Sequence, residues 1–371
     1  NIKGGLLFTI TRESSMKRTI LNLAILSTML GAGLVQAGGF DRSGQDTSIM
    51  LKEGSLVEIM SVSVNPKITG AYTSGGASSG EVAPNYSFTN MGFRTKVSDN
   101  FAIAIIQDSP FGADINWTAG TYTGTKAKVE SSATTLLTSY DLDNVTIYGG
   151  IKNQSLSASA TVPLAAAYSI TSTADSSLGY VLGAAIENPE IAMKLALTYH
   201  TKINHDIAVV ENRTGLVNQP STLSTTTPAS FNLDFQTGIA ENTLLFGTIR
   251  RVQWTQMILA PTVYGAAPIS KTLKSFGKDI TSYTLGLGRK FSDSWSGAVT
   301  YGSEASEGVV QSALSPTDGY KKMGLGVTYT GEQATITLGM QKVNNGDVNI
   351  ALIPMASNTT LVTALKVGYK F

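Results

Sequence analysis

Cysteine is absent from the 371 residues of the chain. Its absence excludes disulfides, thiolate metal sites and a cysteine nucleophile. Histidine is nearly absent as well, with two residues, His200 and His205. Metal ligation or serine–histidine catalysis would rest heavily on that pair. Thr201 and Lys202 follow His200, so the His-x-Ser arrangement of barrel phospholipases is missing. Both histidines are read as solvated rim residues, and no enzymatic role, cofactor or metal is implied. Charge is scarce too: 14% of residues are charged, against roughly 25% in an average soluble domain. With 27 basic and 26 acidic residues, the net charge of +1 gives no electrostatic case for nucleic acid or anionic lipid. Beyond the N-terminal segment, no apolar run reaches the roughly 18 residues of a membrane-spanning helix. No phosphate-loop or dinucleotide pattern stands in a strand–turn–helix setting.

Small polar residues fill the space that charge leaves, with 37 glycines among them. The N-terminal segment is read as an address. Met16-Lys17-Arg18 opens a short basic stretch, Ile20 to Leu34 is largely apolar, and Val35-Gln36-Ala37 offers small residues for cleavage. That is the pattern of a secretory signal peptide over 16–37, cut near Ala37 after Sec export. Residues 1–15 read as upstream read-through.

The remainder alternates with period two over roughly ten residues at a time, as a tilted membrane strand requires. Met193, Leu195, Leu197 and Tyr199 oppose Lys194, Ala196, Thr198 and His200. Met323, Leu325, Val327 and Tyr329 oppose Lys322, Gly324, Gly326 and Thr328. One face suits lipid and the other a lumen. A soluble sandwich also alternates, but its polar face would carry more charge than this one does. Tyr199, Trp254, Tyr283, Tyr329 and Tyr369 fall towards strand ends, as an interfacial girdle would.

Six tight polar turns are expected near residues 98–100, 142–144, 188–190, 240–242, 292–294 and 331–333. Longer loops are expected near 72–85, 117–125, 161–177, 212–229, 262–275, 308–319 and 346–358. Thirteen connections predict about 14 strands, an even number of the kind found in bacterial outer-membrane barrels. The fold class is therefore an all-β, 14-stranded antiparallel transmembrane β-barrel. The chain ends Tyr369-Lys370-Phe371, similar to the C-terminal signal read by the barrel-assembly machinery.

Four segments carry a resemblance: Gly38-Gly39-Phe40-Asp41-Arg42-Ser43-Gly44-Gln45, Gln107-Asp108-Ser109-Pro110-Phe111-Gly112-Ala113-Asp114, Asn232 to Ala240, and Phe276-Gly277-Lys278-Asp279 to Gly288. Together they resemble the FadL-type family of outer-membrane transporters for fatty acids and other hydrophobic compounds. The resemblance implies a hatch inside the lumen, here over 38–54 with Gly38, Gly39 and Phe40, and a barrel over 55–371. The family's Asn-Pro-Ala hatch motif is absent between Gly38 and Ser55, which predicts a short plug. Passive transport in a Gram-negative-type outer membrane is implied. The partners would be hydrophobic small molecules, outer-membrane lipid, lipopolysaccharide and the assembly machinery.

Ser109-Pro110-Phe111-Gly112 interrupts the third strand. Proline lacks an N–H for the ladder and glycine permits a bend, so the strand either kinks here or ends. In the family such a kink opens the wall for lateral release into lipid. Lys278 and Lys152 are the candidate carboxylate partners. Lys278 shares parity with Ser282, Thr284 and Gly286 and matches a pocket lysine of the family; Lys152 shares parity with Tyr148 and Gln154. Adjacent Arg250 and Arg251 cannot both face inward, and parity does not choose between them. Leu164, Tyr168, Ile258 and Leu259 lie in apolar loop stretches read as ligand-capture surface. Long-chain fatty acids are the expected cargo. Neutral hydrocarbons or monoaromatics are the alternative, followed by a general porin or an adhesive barrel.

Overall fold

The computed structural model describes residues 40–72, 78–308, 312–351 and 353–371. The segment read as a signal peptide, with Gly38 and Gly39, lies outside them. Fourteen strands form one antiparallel barrel. They are β1 (Leu56–Lys67), β2 (Tyr86–Lys96), β3 (Phe101–Asp108, resuming as Gly112–Asn116), β4 (Lys126–Leu142) and β5 (Val145–Val162). Next come β6 (Tyr168–Ser172 with Asp175–Asn188), β7 (Met193–His200 with Ile203–Arg213), β8 (Leu216–Thr227 with Ser230–Ala240) and β9 (Thr243–Val252). The last are β10 (Ile280–Lys290), β11 (Trp295–Glu304), β12 (Tyr320–Thr330), β13 (Ala334–Asn345) and β14 (Thr359–Lys370). β14 pairs with β1 from Leu56↔Lys370 to Lys67↔Thr359 and closes the barrel. Closure leaves no sheet edge with unpaired backbone groups in hydrocarbon.

The alternation places side chains as their chemistry demands. Leu325, Leu338 and Leu365 point outward and are exposed, while Thr328 and Thr337 face each other across the lumen side with hydroxyls 2.9 Å apart. Glycines on the inner face make room for large neighbours. A Cβ on Gly286 would run into the Phe246 ring, and one on Gly183 into Tyr148.

All six tight turns fall at one end of the barrel. At the other end two expected loops are mostly strand. The stretches 161–177 and 212–229 turn only at 163–167 and 214–215, between long β5 and β6 and between β7 and β8. Serine and threonine suit an extended strand facing water as well as a loop, and β-branched threonine favours the strand. Cross-strand bonds use them: Ser224 donates to Asp206 at 2.6 Å and Thr226 to Asn204 at 2.9 Å.

The described part of the N-terminal segment, from Phe40 to Gly54, lies inside the barrel. Its one-turn 3₁₀ helix, Ser48–Leu51, buries Ile49 and Met50 against Ala104, Leu137, Tyr148 and Val181 of the inner wall.

Candidate functional site: an aromatic junction, a polar belt and a wall opening

β3 breaks for three residues at Ser109–Phe111 and then resumes, so Pro110 interrupts the strand without ending it. Below the break, Met91–Lys96 of β2 pair with Ala102–Gln107. Above it, Gly112–Asn116 pair with β4 alone, and Tyr86–Asn90 of β2 keep only their β1 partners. The wall is thus unpaired between β2 and upper β3. The Asn116 N–H donates to the Val82 carbonyl at 2.9 Å and bounds this opening at its far end.

The freed backbone groups are taken by the N-terminal segment. Arg42 N–H donates to the Pro110 carbonyl at 2.9 Å, Gly112 N–H donates to the Phe40 carbonyl at 2.6 Å, and Asp41 bridges Phe111. The Phe111 N–H finds the Ser131 hydroxyl at 2.8 Å. These bonds satisfy the groups released at the break itself, while the facing edges of Tyr86–Asn90 and upper β3 stay open to the wall gap.

Above this contact sits an apolar junction of four rings. Trp254 stacks on Phe276 at 4.8 Å between centroids, Phe40 meets Phe276 edge-on at 5.7 Å, and Phe111 meets Trp254 edge-on at 5.7 Å. Each such pair contributes about 0.5–1.5 kcal/mol beyond the area it buries. The rings come from the hatch, the kink and the 253–279 connection, so one cluster ties three parts of the chain together. Trp254 is therefore not a girdle residue. The chain turns inward after β9, and its side chain is buried in the lumen.

The 253–279 connection folds over the long-loop end. A short hairpin, Ile258–Leu259 with Lys274–Ser275, and a one-turn helix, Thr262–Gly265, build it. Glu211, wholly buried, anchors it to the wall. Its carboxylate accepts from Tyr168 Oη at 2.8 Å, Ser221 Oγ at 2.6 Å, Val263 N at 3.0 Å and Tyr264 N at 3.3 Å.

Beneath the aromatic junction the lumen is crossed by a polar belt. Arg250 Nε pairs with Asp41 at 2.5 Å, and its other nitrogens reach Asn232 at 2.7 Å, Ser230 at 3.1 Å and Gln45 at 3.1 Å. Ser43 donates to Asp108 at 2.5 Å, and Lys152 Nζ lies 3.0 Å from His200 Nδ1. His205 Nδ1 lies 2.8 Å from Asp175, and Thr227 donates to Gln154 at 2.6 Å. Below the belt lies a cavity of about 340 Å³ with a mixed lining, polar at Asp234, Lys322 and Thr284 and apolar at Leu51, Phe235 and Phe246.

Several residues stand where sequence reasoning did not place them. Both histidines are buried in the belt rather than solvated at a rim, because their parity points them into a lumen that the hatch fills. Arg250 is the inward arginine; Arg251 is exposed and pairs with Asp279 at 3.4 Å. Lys152 is buried, whereas Lys278 is exposed in the bend before β10. Lys274, which parity did not flag, is buried 4.4 Å from the Phe276 ring centroid and donates to Ser315 at 3.1 Å. Burial lowers its ammonium from the ordinary lysine value, and Glu307 and Asp318 oppose that shift. Of the apolar loop residues, Leu164 and Ile258 are exposed, while Tyr168 and Leu259 are buried in the cluster around the junction.

The four segments that carry the resemblance meet here. Asn232 Nδ2 donates to the Gly44 carbonyl at 2.9 Å, Ser43 reaches Asp108, and Phe40 touches Phe276. No family model and no curated protein matches the chain in sequence. Solved structures do. A Pseudomonas aeruginosa FadL homologue superposes with a TM-score of 0.73 at 14% identity, over 93% of this chain and 98% of that one. The chain has the FadL-type 14-stranded barrel fold. The Pseudomonas putida toluene transporter TodX gives a TM-score of 0.63 at 11% identity, over 93% and 97%. The Ralstonia pickettii toluene transporter TbuX gives 0.62 at 12%, over 93% and 97%.

Proposed function

We propose that the chain is a passive channel of a Gram-negative-type outer membrane for long-chain fatty acids or similar hydrophobic molecules. The long-loop end captures the ligand, the aromatic junction holds it, and the opening beside Ser109–Phe111 releases it sideways into lipid. The observation that carries this reading is the pairing of a wall opening with a closed floor. A tail moving straight down would have to part the Asp41–Arg250 pair and its neighbours. Breaking a buried ion pair costs about 3–5 kcal/mol. The sideways route keeps the tail among Phe40, Phe111 and lipid. A lumen crossed by the hatch and the polar belt weighs against a general polar porin.

Among the cations, Lys274 is best placed to take a carboxylate, with Lys278 outside it and Lys152 in the belt below. The four-ring junction equally suits neutral hydrocarbons, and TodX and TbuX are toluene transporters. Equilibrium binding to purified protein in detergent separates the two cargoes. A long-chain fatty acid and toluene would be compared in the wild type and in Lys274→Met, Lys278→Met and Lys152→Met. Saturable acid binding that one of these substitutions weakens supports the fatty-acid reading. Equal binding of toluene with no effect of any lysine transfers the assignment to hydrocarbons. Saturable binding of neither refutes transport through the junction.

A further inference from the structure

The opening in the wall is not empty: the side chain of Arg42 stands in it. Its guanidinium carbon lies 3.8 Å from the centre of the Tyr86 ring, on the β2 side of the opening. On the β3 side it passes Gly112, where a Cβ would run into the Arg42 side chain. Glycine is required at 112 for that close approach. Gly112 and Asp114 stand opposite Glu130 and Lys128 of β4, whose side chains are exposed. The Arg42 side chain therefore threads the wall from the lumen towards the outward face. Its backbone is tied to the break by the bond to Pro110.

Two further observations mark this guanidinium as waiting for a ligand. Its Nε is buried and has no hydrogen-bond partner among the described residues. Beside it lies a cavity of about 90 Å³ whose lining includes Tyr86, Asp114, Val64, Ile115 and Leu314. A cation against an aromatic face on one side and a void of mixed apolar and polar lining on the other suits an anionic head group on a greasy tail.

We propose that Arg42 is a head-group station in the wall opening, binding the carboxylate of an amphiphile in transit and resting on Tyr86 when no ligand is present. The inference rests on the lateral route argued above. A guanidinium offers a carboxylate two parallel N–H bonds, a stronger and more directional contact than a ring face. The head group can then leave water without being left bare in the wall. Asp114 lines the same cavity and opposes an incoming anion, and its neighbour Lys128 is shared with Glu130 at 2.8 Å. The station is thus balanced for transient binding. A neutral hydrocarbon has nothing to offer the guanidinium and meets Arg42 only as an obstacle.

The test is transfer from the barrel into lipid, in proteoliposomes, of a long-chain fatty acid and of toluene, read as a ratio. Arg42→Met, close in length but uncharged, should lower the acid-to-toluene ratio at least about tenfold, the equivalent of one good charge-assisted bond. Arg42→Lys should fall between. Asp114→Asn should raise the ratio, and Tyr86→Leu should speed both solutes by freeing the latch. Folding of each variant is checked by the heat-modifiable migration of the closed barrel. An unchanged ratio in folded Arg42→Met overturns the station. A Ser87→Cys, Asp114→Cys pair bridged by a short bis-maleimide tests the route itself, without interference from other thiols. If the bridged barrel still transfers both solutes, lateral exit fails and the station with it. If bridging blocks both while Arg42→Met leaves the ratio unchanged, the station alone is wrong.

Discussion

Replacing Arg250 with methionine should loosen the hatch while leaving the barrel closed. Arg250 and Asp41 are both almost wholly buried, and their ion pair joins β9 to the N-terminal segment. Methionine also withdraws the donors that reach Asn232, Ser230 and Gln45. Asp41 Oδ1 already has no hydrogen-bond partner among the described residues, so the substitution leaves its carboxylate as an uncompensated buried charge. Removing one member of such a pair costs about 3–5 kcal/mol. At about 1.4 kcal/mol per tenfold, the balance between seated and displaced hatch shifts by roughly two to three and a half orders of magnitude. The β1–β14 ladder does not involve these residues, so the barrel itself should persist. The assay is ion conductance in planar bilayers, with trypsin access to Arg42 and Lys52 as an independent reading of hatch position. Arg250→Met should conduct more than the wild type and lose the hatch to trypsin. Adding Asp41→Asn should restore most of the closed behaviour, because it removes the stranded charge. Wild-type conductance and protection in folded Arg250→Met would refute the belt as the seal. Failure of the second substitution to restore closure would refute the electrostatic explanation.

Further outcomes follow from other parts of the molecule. Leu325→Arg puts a charge on the outward face midway along β12 and should destabilise the inserted barrel by about 2–4 kcal/mol, read as a lower urea midpoint in lipid. Glu211→Ala strands the donors of Tyr168, Val263 and Tyr264, each buried unsatisfied donor costing about 1–3 kcal/mol. It should expose the 253–279 connection to limited proteolysis; unchanged cleavage would sink the anchoring role. The lowered Lys274 ammonium gives a pH signature. Fatty-acid binding should be full where Lys274 is protonated and fade as pH rises through its depressed pKa, below where an ordinary lysine titrates. In Lys274→Met that fade should vanish, and its persistence would exclude Lys274 as the carboxylate partner.

The barrel was legible because its rule is local. A strand between lipid and lumen must alternate, so Met323 to Tyr329 declare their faces without reference to any other part of the chain. Tight turns such as Ser292-Asp293-Ser294 declare themselves equally locally, which is why the strand number follows from counting. The rule weakens at strand ends. Trp254 lies two residues past the end of β9, where the strand rule no longer holds, and packing against Phe40, Phe111 and Phe276 fixes it inward. Lys278 shows the same limit: its parity was counted from β10, but the strand begins at Ile280, and the buried lysine is Lys274. Composition also failed to separate a Ser/Thr loop from a Ser/Thr strand at 212–229, because the deciding hydroxyl bonds lie across the hairpin.

By itself, then, the sequence determined the class of fold, the number of strands, the lipid face of the strands that alternate cleanly and the place where β3 must break. Proline removes a donor and glycine a side chain wherever they occur, so Ser109–Gly112 carries its own signal. What fills that break was decided only by the tertiary structure. Arg42 lies 68 residues before Pro110 in the chain, and no periodicity links them. Their bond, the choice of Arg250 over Arg251 and the belt beneath the aromatic junction exist because the closed barrel brings distant inward faces within reach of one short N-terminal segment. Burial there makes every charge demand a partner.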